Sequence, residues 1–217
     1  MTDAEAASLP IVYHTSLFAL GKRGQLASGE WLLVHAGASG VGMAAIQIGK
    51  AMGARVIATA ASDEKLTFCR DLGADCVASY QDSSWVEKVR EWTQGRGADV
   101  IYDPVGGDIF DLSTKCIAPE GRILVVGFAS GRIPSVAANR VLLKDISVVG
   151  VLWGPYMDRN PDQLPLAHQQ LIQMYESGGI RPVIWKSFPL AEAPAVLKTI
   201  SARSIAGKAI LHPDQPA

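Results

Sequence analysis

The segment His35-Ala36-Gly37-Ala38-Ser39-Gly40-Val41-Gly42 gathers small residues at one junction. It lies between a short apolar run, Trp31 to Ala36, and a stretch from Val41 to Met52 whose apolar residues recur at helical spacing. Small residues at a strand-to-helix turn let the backbone come close to a bound group. Free N–H groups and the dipole at the helix start then stabilise negative charge there. The spacing predicts that Gly37, Ala38, Ser39, Gly40, Val41 and Gly42 cradle a dinucleotide pyrophosphate, with Gly42 allowing the helix to pack closely on the strand. Ser39 occupies the second glycine position of the simple G-x-G-x-x-G pattern. The alternative is a turn that needs small residues for packing alone.

The end of the next strand decides which dinucleotide. Sites for NADH usually place an acid there to hold the ribose 2′-hydroxyl. Here the strand Arg55 to Ala60 runs into Ala61 and Ser62, with no carboxylate at the tip, and Lys65 follows. A small neutral tip leaves room for a 2′-phosphate, which Ser62 and Lys65 can bind. The pattern predicts NADPH ahead of NADH. Asp63 and Glu64 fit this reading only if they face solvent at the start of the helix. Lys65 has the alternative of an ordinary exposed helix lysine.

Other catalytic chemistry is thinly represented. His14, His35, His168 and His212 lie in different segments without ligand-like spacing, and no Ser/His/Asp or Cys/His constellation is apparent. No catalytic acid or base is expected within the chain. Cys69, Cys76 and Cys116 are odd in number and widely spaced, which argues against a disulfide framework or a structural zinc site. No metal is expected.

These residues must be held by a regular scaffold. Short apolar runs alternate with amphipathic stretches: strands at Trp31–Ala36, Arg55–Ala60, Cys76–Ala78, Asp99–Asp103, Gly121–Gly127 and Ile146–Val151. Helices fall between them, at Val41–Met52, Ser62 to Gly73, Ser84–Thr93 and Asp108–Cys116. Strict alternation implies an α/β fold with a doubly wound parallel sheet, the Rossmann arrangement. Beyond it a helix is expected at Leu164–Ser177, an extended stretch at Pro182–Phe188, a helix at Ala191–Ala202 and a strand at Lys208–Leu211. A net charge of −1 with scattered Lys and Arg gives no footprint for nucleic acid or an acidic membrane. No apolar run reaches membrane-spanning length, and the acidic N-terminus is unlike a signal peptide. The expectation is a cytoplasmic protein.

Read together, the loop at Ala36–Gly42, Ser62-Asp63-Glu64-Lys65, Leu72-Gly73-Ala74-Asp75, Tyr102-Asp103-Pro104-Val105-Gly106-Gly107 and Gly121 to Phe128 resemble the medium-chain dehydrogenase/reductase superfamily. The resemblance is specifically to its zinc-free quinone oxidoreductase (ζ-crystallin-like) branch. The resemblance spans about Pro10 to Leu211. It implies an NADPH-dependent oxidoreductase that transfers a hydride to a quinone or enone. It places Thr15 near the nicotinamide amide, and Tyr80 and Arg203 around the 2′-phosphate with Ser62 and Lys65. It sets Val105, Gly106, Phe128, Ala129 and Ser130 beside the nicotinamide ribose and ring. Tyr80, Arg203 and Phe128 each retain a packing or surface role as the alternative.

The resemblance also implies a division into a leading segment and helix (1–21), a dinucleotide-binding domain (22–179) and a C-terminal segment (180–217). In full-length members that last segment packs on an N-terminal GroES-like catalytic domain, most of which is not found in this sequence. Val183, Ile184, Trp185 and Phe188 are then expected to lose cover, and self-association is expected, with the strand near Ile146–Val151 pairing across a dimer. Two other readings stay open: a nucleotide-binding module without catalysis, and an enoyl-reductase domain.

Overall fold

The computed structural model describes residues 1–213. The chain opens with α1 (Asp3–Ser8) and α2 (Val12–Leu17), which continues into a π-helical turn at Phe18–Arg23. Six parallel strands follow: β1 (Trp31–Val34), β2 (Arg55–Ala60), β3 (Cys76–Ser79), β4 (Ala98–Asp103), β5 (Ile117–Val125) and β6 (Ser147–Gly150). Between them run α3 (Gly40–Ala51), α4 (Asp63–Asp71), α5 (Trp85–Trp92), α6 (Gly107–Ser113) and α7 (Ala138–Lys144). The strand order is β3-β2-β1-β4-β5-β6. The chain therefore changes winding direction between β1 and β4, and loops at the carboxyl ends of those two strands diverge to leave a crevice.

Helices cover both faces of the sheet, so the middles of its central strands are apolar. Leu32, Leu33 and Val34 of β1 are fully buried, as are Val100, Ile101 and Tyr102 of β4. Two clusters of buried side chains pack against the sheet. One gathers residues of α2, α3 and α4; the other includes Trp85, Val89 and Phe110 of α5 and α6. His35 is fully buried at the end of β1 and hydrogen-bonds Thr59 of β2 through Nδ1 and Ser113 of α6 through Nε2, each at 2.8 Å. Burial pushes its pKa down to about 3, so it is a neutral structural link.

The expected parallel α/β sheet is the observed one, with local differences. The first strand ends at Val34, short of Ala36, because Ala36 turns into the left-handed region at φ 50°. The fifth strand begins at Ile117, before the expected Gly121, because a register shift and a left-handed Glu120 interrupt the pattern. It stops at Val125 because the N–H groups of Val126 and Gly127 turn back to the Asp103 carbonyl. The α6 helix ends at Ser113 rather than Cys116. α1, α7 and α8 (Trp153–Arg159) were not anticipated; α7 and α8 bury no residue, so they lack the apolar period that marks a helix.

After α9 (Gln163–Glu176), strand β7 (Ile184–Pro189), α10 (Ala193–Ser201) and β8 (Lys208–His212) complete the chain, β7 and β8 pairing in parallel. This tail is tied to the main sheet layer. The Gln47 side chain of α3 donates to the Arg181 carbonyl at 2.8 Å and accepts the Arg181 N–H at 2.9 Å. Val183, Ile184, Trp185 and Phe188 are half-buried.

Candidate functional site

At the end of β1 the chain turns through Ala36 and enters α3, whose cap is Ser39. The Ser39 hydroxyl accepts the Gly42 N–H at 3.1 Å. Among the described residues the N–H groups of Gly40 and Val41 have no acceptor, so they are available to an anion. Gly42 cannot be replaced: a Cβ there would stand 2.2 Å from the Ala36 carbonyl oxygen. Gly37 is bounded in the same way by Cys69 Sγ, 2.7 Å from where its Cβ would be. The loop is thus pressed onto β1, β2 and α4, which leaves its N–H edge open.

Two side chains brace this edge. The Tyr80 hydroxyl, just after β3, accepts the Ala36 N–H at 2.5 Å. Ser16 of α2 bonds the Val41 carbonyl at 3.1 Å and lies 2.9 Å from the Tyr102 hydroxyl. Its neighbour Thr15 is half-buried on the same helix. Lys208, which the sequence reading missed, runs over the first turn of α3 from β8: its Cδ lies 3.2 Å from where a Gly40 Cβ would be. The preceding Gly207 N–H donates to the Ala38 carbonyl at 3.1 Å, fixing β8 on the loop. Burial lowers the Lys208 pKa, and no carboxylate pairs with it among the described residues. A half-buried cation beside the positive end of a helix is a poor arrangement unless an anion shares the place. No motif in the sequence singles out Lys208; only the return of β8 to the loop does.

At the tip of β2, Ser62 caps α4 by accepting the Lys65 N–H at 3.4 Å and is otherwise exposed. Lys65 Nζ donates to the Arg203 carbonyl, and the Arg203 guanidinium donates to the Ala129 carbonyl. Arg203 therefore links Lys65, beyond the tip of β2, to Ala129 in the loop after β5, joining groups distant in sequence across the crevice. No carboxylate has a contact with Lys65 or Arg203 among the described residues, so both cations satisfy themselves on backbone carbonyls.

On the opposite side, the loop after β4 meets the loop after β5. The Ala129 N–H donates to the Pro104 carbonyl at 3.0 Å and the Ser130 N–H to the Val105 carbonyl at 2.9 Å. Gly106 has φ 68°, a left-handed value, and a Cβ on it would lie 2.9 Å from the Phe128 ring. Phe128 is 41% exposed, which leaves much of its ring facing outward. Asp103 accepts the N–H groups of Val105 and Gly106 at 2.8 and 2.9 Å on one carboxylate oxygen.

Two of the histidines meet in the fold. The rings of His14 and His168 stack at 5.6 Å and 5°, although their segments are far apart in sequence. His14 also stacks on Trp153. Burial lowers the His14 pKa. Among the described residues no three His, Cys, Asp or Glu side chains come together as metal ligands.

A parallel sheet of this order, with a glycine loop at the switch point, defines a Rossmann-type dinucleotide-binding fold. Residues 40–169 match the family described as zinc-binding dehydrogenase, and the chain belongs to that family, in the quinone oxidoreductase branch of the medium-chain dehydrogenase/reductase superfamily. It is 39% identical over 208 residues to quinone oxidoreductase-like protein 2 of Bos taurus, covering 95% of this chain and 60% of the bovine one. A quinone oxidoreductase of Pseudomonas syringae superposes with a TM-score of 0.91 at 32% identity, over 98% of this chain and 66% of that one. A mycobacterial protein solved with NADPH gives 0.92 at 30% identity, over 98% and 66%. The chain thus spans under two thirds of the length of these relatives.

Proposed function

We propose that this chain binds NADPH along the crevice between the β1 and β4 loops and forms the cofactor-binding part of an oxidoreductase acting on a quinone or enone. One observation carries the reading. The α3 N-terminus offers free N–H groups beside Lys208, which has no carboxylate partner among the described residues, while Lys65 of α4 and Arg203 of the tail lie by the neutral tip of β2. The first set suits the pyrophosphate and the second a 2′-phosphate. The relative solved with NADPH, and relatives named as quinone oxidoreductases, support it.

When bound, the cofactor would supply the hydride. The chain's own residues would orient it and keep water from one face. The loops at Val105–Gly106 and Phe128–Ser130 would border the nicotinamide, with Thr15 near its amide. No side chain here is assigned as acid or base. Among the described residues no helix is long and apolar enough to cross a membrane.

Titration with NADPH and NADH, followed by quinone-dependent NADPH oxidation, tests both parts. Tighter NADPH binding with turnover supports the reading. Equal affinities overturn the cofactor preference, and tight binding without turnover points to a non-catalytic module.

A further inference from the structure

Asp103 does more than end a strand. It is 1% exposed, at the carboxyl end of β4 on the rim of the crevice. Its Oδ1 accepts two successive N–H groups, from Val105 and Gly106. Its backbone carbonyl accepts two more, from Val126 at 2.9 Å and Gly127 at 3.3 Å. One residue therefore fixes the first turn of both loops that flank the crevice on this side. The loops are then joined to each other through Pro104–Ala129 and Val105–Ser130.

Gly106 shows why an anchor is needed. Its left-handed φ is paired with a close approach to Phe128, so the turn has little freedom to shift. Nothing else in the described chain accepts the Val105 and Gly106 N–H groups. A carboxylate with no cation beside it is costly at this depth, and burial raises its pKa. Its retention is explained by the acceptors it supplies rather than by its charge.

We propose that Asp103 is a positioning residue that sets the nicotinamide side of the crevice; the adenosine side meets the loops it anchors through the Arg203–Ala129 hydrogen bond. This rests on the NADPH reading above. It predicts a split that a merely structural residue would not give, because the two halves of the cofactor can be probed separately. Adenosine 2′,5′-bisphosphate reports on the β2 tip and the α3 N-terminus; NADPH reports on both halves.

Calorimetric titration of the whole chain tests it. Asp103→Ala should weaken NADPH by about tenfold or more, the scale for stranding buried donors, with adenosine 2′,5′-bisphosphate weakened far less. Asp103→Asn, which keeps the acceptor oxygen, should restore NADPH affinity to near that of the unaltered protein. Equal weakening of both ligands, or of neither, overturns the proposal, as does an Asn variant as weak as Ala. Should the Ala variant not fold, amide exchange in the unaltered protein decides: protected Val105 and Gly106 amides support the anchor, and free-peptide rates overturn it. If neither ligand binds the unaltered protein, the NADPH reading fails, while the amide measurement still judges the anchor.

Discussion

At the residue scale, the cations around the crevice make separable predictions. Lys65→Ala removes a charge expected to meet a 2′-phosphate, and should weaken NADPH by about ten- to a hundredfold while leaving NADH nearly unchanged. Lys208 lies over the α3 N-terminus, where either cofactor would place its pyrophosphate. Lys208→Ala should therefore weaken NADPH and NADH alike. Competitive titration with both nucleotides measures the contrast, and a Lys208 variant that discriminated between them would place its ammonium elsewhere. The place of Lys65 beside the strand tip was legible in the sequence because the separation is short and local. Lys208 was not, since its relevance depends on a strand closing from the other end of the chain.

His35 belongs to the same scale but concerns stability. Its pKa falls from an ordinary 6.5 to about 3 in the fold. Between those values the unfolded chain takes up a proton that the folded chain refuses. Stability from this group is complete above pH 6.5 and declines as the pH falls through that window, by up to about 1.4 kcal/mol per pH unit. Urea unfolding at successive pH values should show the decline, and a His35→Gln variant should show a shallower one. An unaltered slope in that variant would assign the loss to other groups, such as His14.

At the element scale, the decisive unit is the turn from β1 into α3. Ser39 caps the helix and Gly42 lets it sit against Ala36, so the helix points its free N–H groups into the crevice. Gly42→Ala puts a methyl group 2.2 Å from the Ala36 carbonyl oxygen, and only a backbone shift relieves that. The expected cost is roughly 1–3 kcal/mol or more of folding stability, with loss of nucleotide binding even where the fold survives. Thermal unfolding and NADPH titration on the same variant check both. The sequence pattern located this turn, α3 and the central strands closely, because buried parallel strands and glycine-stopped helices leave strong local signals. It missed α7 and α8, which bury no residue, and it misplaced the start of β5, where Glu120 breaks the period.

At the scale of the whole molecule, β6 ends the sheet with one edge unpaired, and Leu142, Leu143 and Leu152 nearby are 77%, 80% and 67% exposed. An open edge beside exposed leucines favours pairing with a second copy. Sedimentation at micromolar concentration should therefore report dimers or larger assemblies, and a clean monomer would count against it. The tail from Arg181 onward also acts at this scale. It hydrogen-bonds α3 through Gln47 and the glycine loop through Gly207, so removing it should weaken nucleotide binding along with stability.

The sequence alone determined the alternation of strands and helices, the glycine loop and the absence of an acid at the tip of β2. These are local patterns of size, polarity and spacing, readable wherever neighbouring residues share one element. The tertiary structure decided which distant groups share the crevice. It set Lys208 over Gly40, carried Arg203 to Lys65 and Ala129, stacked His14 on His168, and made Asp103 the common anchor of two loops. Such meetings depend on how the sheet winds and where the tail returns, which no short window of sequence encodes.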